Sequence, residues 1–439
     1  MVKASRGLKE FQAACRSVDV ARMERALTCA SERPNPATML KTEIDGYTPL
    51  MLFASLGHLG ALHMLLDHPR ADAAAMLLHR AGDGCTPFML AARYGHVDAM
   101  HLLLNHPSSD AAALMMHVAN DGSTALMLAS RLDNVDAMRV MMDHPSADPG
   151  LLMMCTLLNG TTVLMLAAED GHLEAMCVLL YHPACGDPAA MLMHTRSDGE
   201  TALTLAAQNG HAAAMRLLLD DPSADAAAML VHTNAAGDTA LVLAARGGHV
   251  DAVRLLLDHP YAAPAAMMMQ LTSDGSTALM AAAEHGHVDT MRMLLEHSAF
   301  ADAPSMLMHA RSDGETAFML AAQFATGPSA AYLPTRARTC EALLLLLRCV
   351  PVVPEPSITM VPKPWPAAQK AHMAKVMMTL CSGPHSQALF DNARLNDGVR
   401  DEPAATACVR LLVVLGADVF SPGLASIRPL VVRIVRGGE

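Results

Sequence analysis

DGETALTLAAQNGHAAAMRLLLDDPSADAAAMLVHT, residues 198–233, and DGSTALMAAAEHGHVDTMRMLLEHSAFADAPSMLMHA, residues 274–310, are two copies of one phrase. Its threonine recurs at Thr48, Thr86, Thr124, Thr162, Thr201, Thr239, Thr277 and Thr316. The step is 38 residues, with 39 between Thr162 and Thr201 and again between Thr277 and Thr316. A fixed period of this size belongs to stacked supersecondary units, none of which can bury its apolar face alone.

Each unit carries helix punctuation. Thr48 and Thr86 precede Pro49 and Pro87, and proline suits the first helical position because its missing N–H had no partner there. In the third unit Leu126, Leu128 and Ala129 then fall on one helical face. Gly57, Gly95, Gly171, Gly210, Gly248 and Gly286 end this first helix, where a left-handed residue is needed. A second helix follows, as in VDAMHLLLN from Val97, with Met100, Leu103 and Leu104 in a buried stripe. Pro107 and its equivalents stop it.

These residues resemble the ankyrin repeat. The family pattern of a glycine turn, TPLHLAA, a GH turn and an apolar second helix is followed closely by DGCTPFMLAARYGHVDAMHLLLN, residues 83–105. The resemblance implies an all-α ankyrin-repeat solenoid of helix-turn-helix units. This chain departs from the pattern twice. The histidine of TPLH is replaced by Met51, Met89, Met127, Met165, Thr204, Val242, Met280 or Met319, so its turn-bracing bonds do not carry over. The unit is also about five residues longer than the usual ~33. The extra residues read DAAAMLLH from Asp72 and DPAAMLMH from Asp187: a capping carboxylate, a good first turn and an apolar contact. An additional short helix per repeat is expected, including Ala73–Leu78, Ala111–Met116 and Ala226–Leu230.

Three regions follow. Residues 1–44, with FQAACRSVDVARMERAL, form an N-terminal capping unit. Residues 45–324 form the array, about eight repeats starting near Asp45, Asp83, Asp121, Asn159, Asp198, Ala236, Asp274 and Asp313. Residues 325–439 form an irregular C-terminal repeat or cap region with a Pro-rich loop at 350–366. Helical patterns return there at 367–381 and 403–415, the second running into the half-match CVRLLVVLGADV that starts at Cys408, before a terminal tail at 427–435.

Residues 1–350 hold 22 Lys and Arg against 36 Asp and Glu, a balance of −14 that would repel a phosphate backbone. Nucleic acid is therefore not an expected partner. No apolar run approaches the roughly 18 residues that span a bilayer, so no membrane insertion is expected. The ten cysteines lie at irregular spacings without a CxxC pair, and the N-terminus has no signal-peptide core. A cytoplasmic setting, or equally a nuclear one, follows. GxSxG, GxxxxGK[ST], HExxH and kinase signatures are absent, so no enzyme activity, no catalytic residue and no cofactor is expected.

Seventeen of the 22 histidines fall in three columns, represented by His96 in the GH turn, His106 before proline and His117 after the short helix. Equivalent residues in adjacent layers lie ~8–10 Å apart, too far to share a zinc ion bound at ~2 Å. Capping and packing are expected of them, with no metal. The 35 methionines recur at helical spacing and are expected in the core.

The resemblance implies a protein-binding scaffold that engages intracellular proteins through its concave face, by the turn tips and the ends of the first helices. Those are also the positions that vary here while their neighbours repeat. The candidate partner-binding residues are Tyr47, Arg93, Tyr94, Arg131, Leu132, Glu169 and Asp170. Tyrosine and arginine favour hot spots, and an arginine pair in an acidic chain favours a carboxylate-bearing partner. The chain is expected to act as a monomer. The alternative is a regulatory or substrate-recruiting subunit that docks an enzyme through residues 325–439, with Trp365 as an aromatic anchor.

Overall fold

Each threonine of the period caps a helix. In the computed structural model, which describes residues 2–28, 36–298, 309–317 and 319–321, the Thr48 hydroxyl accepts the Met51 N–H at the start of Pro49–Ser55. Thr86, Thr124, Thr162, Thr239 and Thr277 repeat this on Met89, Met127, Met165, Val242 and Met280. In repeat 5 the cap is reciprocal: the Thr201 N–H donates to Thr204 Oγ1 at 2.7 Å, and the Thr204 N–H returns a bond to Thr201 Oγ1. Elsewhere the residue in that second position turns inward. Met51, Met89, Met127, Met165 and Met280 are fully buried, each worth about 2 kcal/mol of transfer free energy relative to exposure. Methionine thus packs where the histidine of the family pattern would bond.

The described residues form twenty-three helices and no strand, only isolated bridges at the turn tips. The chain clusters into two units, Met1–Ala206 with Ala213–Asp225, and Ala207–Ala212 with Ala226–Glu439. The first opens with a hairpin of Val2–Arg16 and Val20–Thr28, then Pro36–Leu40. Its first helices Pro49–Ser55, Pro87–Arg93, Ala125–Ser130 and Val163–Asp170 pack each on the next. So do its second helices Leu59–Leu66, Val97–Asn105, Val135–Met142 and Leu173–Tyr181. The second unit repeats the arrangement with Ala240–Gly247 on Ala278–Glu284 and Val250–Asp258 on Val288–Glu296.

The longer unit is a third helix. Ala73–Leu77, Ala111–Met115, Pro149–Met154, Pro188–Leu192, Ala226–Val231 and Pro264–Met268 occupy the inserted stretch. Helices of five or six residues are too short to persist alone, so they need caps and docking. The carboxylates of Asp72, Asp110, Asp148 and Asp187 each accept an N–H three residues on, at 3.0 to 3.2 Å. Met76 and Leu77, Leu114 and Met115, and Met191 and Leu192 are the docked side chains, all buried. The thirty-ninth residue of repeat 4 is absorbed in the turn before Pro188–Leu192, beside Gly186.

Several sets of bonds join a repeat to the next, and two of them shape the helix ends and tips. At the turn tips a backbone N–H reaches the preceding tip: Asn120 to Asp83, Leu158 to Asp121, Ser197 to Asn159, Ser273 to Ala236 and Ser312 to Asp274, at 2.8 to 3.2 Å. At the GH turns a ring Nε2 meets a carbonyl left over at the end of the preceding first helix: His96 on Ser55, His172 on Arg131, His249 on Gln208 and His287 on Arg246, at 2.9 to 3.1 Å. Repeat 3 has Asn134 here instead, and its amide donates to the Arg93 carbonyl at 2.7 Å. At Gly57, Gly210 and Gly248 the glycine after the first helix lies under this ring, whereas in repeat 3 Asp133 takes the left-handed position beside His172. At Gly248 φ is +74°, and an added Cβ would lie 2.4 Å from His287 Nδ1. Glycine is required there for backbone and space alike.

The irregular region 325–439, with its Pro-rich loop, helical patterns and Trp365, lies outside the described residues, as do the stretches expected to form the third helix of repeat 7 and the second helix of repeat 8.

Two outcomes follow. The short helix of repeat 6 starts at Ala263, which offers no side-chain cap. Ala263→Asp should copy the other repeats and stabilise the fold by about 1 kcal/mol, read as a raised urea midpoint. The second concerns pH. Burial pushes the His287 pKa below its ordinary value, the bond to the Arg246 carbonyl opposes this, and His285 and His249 lower it further. Because the folded pKa is the lower one, the unfolded chain binds more protons. Stability is complete above about pH 6.5 and is lost as pH falls through that value toward the folded pKa. His287→Asn, which copies the Asn134 of repeat 3, should keep the bond and flatten this decline in urea midpoints compared between about pH 7 and about pH 5.

Candidate functional site

The first helices of repeats 2 to 4 end in the pairs Arg93 and Tyr94, Arg131 and Leu132, and Glu169 and Asp170, all on the first unit. They lie there for a local reason: the last turn of each helix has left the buried stripe but has not yet reached the turn that holds the next repeat. Tyr94 is 48 % exposed and Leu132 52 %, large apolar surfaces without a covering element. Arg131 and Asp170 are exposed, while Arg93 and Glu169 are half-buried.

Between these helix ends and the turn tips runs a groove of about 500 Å³. Arg93, Arg131, Leu132 and Asp170 line it, with Leu128 at its base and Asp83, Cys85, Asp121 and Ser123 along the tips. Four of the seven candidate residues are therefore brought together. Tyr94 flanks the groove, with the Arg93 guanidinium carbon 5.8 Å from its ring centroid, within reach of a cation–π attraction. Tyr47 is a half-buried neighbour of the same cluster. Burial raises its phenol pKa, the charges on Asp83 and Tyr94 add to this, and Arg93 opposes it. Glu169 is not in the lining and lies within electrostatic reach of Arg196.

The tip residues are held by their own turns. Asp83 accepts the Cys85 N–H at 2.9 Å, and the Cys85 thiol is pushed up to about 12, chiefly by burial and then by Asp83. Asp121 accepts the Ser123 N–H at 2.8 Å and its hydroxyl at 2.7 Å. Burial alone would raise the Asp121 carboxyl. The Ser123 bonds and the Arg131 charge outweigh it and hold the group below the usual carboxylate range.

The arginines differ from their counterpart further along the chain. Arg246 stands in the same helix-end column of repeat 6 and forms a two-pronged pair with Asp238 at 2.7 and 2.8 Å. Asp238 is the tip residue eight positions earlier. In repeats 2 and 3 that tip position holds Cys85 and Ser123, which carry no charge. Among the described residues neither Arg93 nor Arg131 forms an ion pair. Asp83 and Asp121 do not stand out in the sequence because they belong to the repeating frame. The signal that could have found them is the tip residue beside them, whose loss of a carboxylate is legible.

A family model for ankyrin repeats matches the chain in overlapping stretches at 12–112, 71–151, 108–190, 164–266 and 264–333. The chain belongs to the ankyrin repeat family, and its fold is an all-α ankyrin-repeat solenoid with a third short helix in each of repeats 1 to 6. Ankyrin repeats are generally protein–protein interaction modules and typically non-catalytic. A search of curated proteins finds no match. Among the described residues no helix is long and apolar enough to cross a membrane.

Proposed function

We propose that this chain is a non-catalytic scaffold that binds intracellular protein partners through the concave face of its repeats, acting as a monomer. The contact residues are Tyr47, Arg93, Tyr94, Arg131, Leu132, Glu169 and Asp170, at the helix ends and turn tips of repeats 1 to 4. One observation supports this above the others. Positions that vary against a constant frame gather around one groove, and they leave large apolar side chains and unpaired guanidinium groups at its wall. Unpaired arginine and exposed tyrosine are the residue types that most often carry binding energy.

The mechanism is preorganisation. The helix ends of repeats 1 to 3 are fixed by their caps, by the left-handed residue that follows and by the ring or amide from the next repeat, so little backbone order remains to be imposed when a partner docks. Arg93→Ala combined with Tyr94→Ala in the full chain should weaken binding of the principal partner by about 2 kcal/mol, roughly thirtyfold in Kd. The melting temperature should hardly move, because neither side chain belongs to the buried core. Titration calorimetry with the captured partner and a thermal melt of the variant measure both. Wild-type affinity in the double variant would remove the site from this groove.

A further inference from the structure

We infer that the groove of repeats 2 to 4 takes an extended peptide segment of fixed charge order, acid, acid, then base, with one charge for each repeat; this deepens, and rests on, the docking role proposed above. The inference starts from the column that Arg93, Arg131 and Arg246 share. Arg246 shows what an arginine in this column does when a carboxylate is at hand: it takes both oxygens of Asp238 in a fork. Arg93 and Arg131 hold the same repeat position at the end of the first helix, but their tips offer Cys85 and Ser123. The neighbouring carboxylates do not substitute for Asp238. Asp83 and Asp121 turn toward the N–H groups of their own tips, and among the described residues neither forms an ion pair with the arginines, Arg131 acting on Asp121 only through its charge at longer range. The unmade forks of repeats 2 and 3 are therefore open to carboxylates from outside, and a planar guanidinium favours that ligand above others.

The next layer reverses sign. Asp170 lines the same groove, is exposed and forms no ion pair among the described residues. The wall thus reads plus, plus, minus along repeats 2, 3 and 4. This order answers an objection from net charge: with Asp83, Asp121 and Asp170 against two arginines the groove is not basic overall, so a purely acidic segment would be repelled at its far end. A segment that carries a base opposite Asp170 meets every layer with the opposite sign. Adjacent helix layers lie ~8–10 Å apart, and an extended chain advances ~3.3 Å per residue. The charges on the partner should therefore stand three residues apart. Leu132, half-exposed beside Arg131, and Leu128 at the base of the groove give apolar contact to the residues between them.

The test uses the full chain and the labelled peptide Gly-Glu-Gly-Leu-Glu-Gly-Leu-Lys-Gly, followed by fluorescence polarisation. The comparisons are the same peptide with both glutamates changed to glutamine, and the charge-swapped peptide with two lysines and a final glutamate. The acid-acid-base peptide should bind at least about tenfold more tightly than either, and added salt should narrow the difference. Asp121→Ala with Ser123→Asp reproduces the tip of repeat 6, Ala236 and Asp238, and so supplies Arg131 with an internal fork. It should reduce the preference to the level of the glutamine peptide while the thermal melt stays cooperative. If that double variant does not fold, Arg131→Gln replaces it with the same expectation.

Equal affinity for the three peptides overturns the inference, as does no binding of the first at about 1 mM. So does a folded double variant that keeps the full preference. Failure of the docking role itself looks different: the Arg93→Ala, Tyr94→Ala variant would then retain its protein partners. Loss of those partners together with indifference to peptide charge would defeat the charge order alone.

Discussion

A carbonyl at the end of an α-helix has no partner within its own helix, and in this protein the next repeat supplies one. Nε2 of His96, His172, His249 or His287, or the amide of Asn134, closes on the end of the preceding first helix. The bond satisfies a group that would otherwise need water. It also fixes the angle at which the chain leaves for its second helix, and at Gly57, Gly210 and Gly248 it explains why the residue beneath the ring has no side chain. The column of helix ends that forms the candidate groove is held in line by these same bonds. Arg131 shows the double duty: its carbonyl receives His172 while its guanidinium faces the groove.

The third helix solves a different problem. A stretch of five extra residues could have been a loop, but a loop would have left its backbone polar groups to water and its apolar side chains exposed. A capping aspartate and a pair of buried side chains convert it into one turn of helix docked on the second helix. The residue after the docked pair is left at the surface in repeats 1 to 3: Leu78 is 44 % exposed, Met116 36 % and Met154 46 %.

The helices were legible because their signals are local. A capping threonine, followed by proline at Pro49 and Pro87, a left-handed glycine and an Asp-Ala or Asp-Pro start each act within a few residues, and each recurs in phase in most repeats. The burial of methionine was legible too, since Met51, Met89 and Met127 fall in one column of one helical face. The pairing state of the arginines was not. Arg93, Arg131 and Arg246 look alike in the sequence, and what separates them is a residue eight positions earlier, which only the folded turn brings alongside. The partner of each turn histidine was hidden in the same way, because it is a backbone carbonyl some forty residues back and carries no side-chain signature.

Among the described residues, the hydrogen bonds that join one repeat to another each span about a single period. The tip-to-tip bonds and the ring-to-carbonyl bonds both connect immediate neighbours, and no described contact has to close a loop longer than about one repeat and a fraction. The entropy of loop closure grows only slowly with length and is met here in equal small steps. The order of assembly is therefore not dictated from one end. Any adjacent pair of repeats can serve as a nucleus, and growth proceeds outward by identical additions, each new layer finding its carbonyl, its glycine turn and its tip already presented by the layer before it.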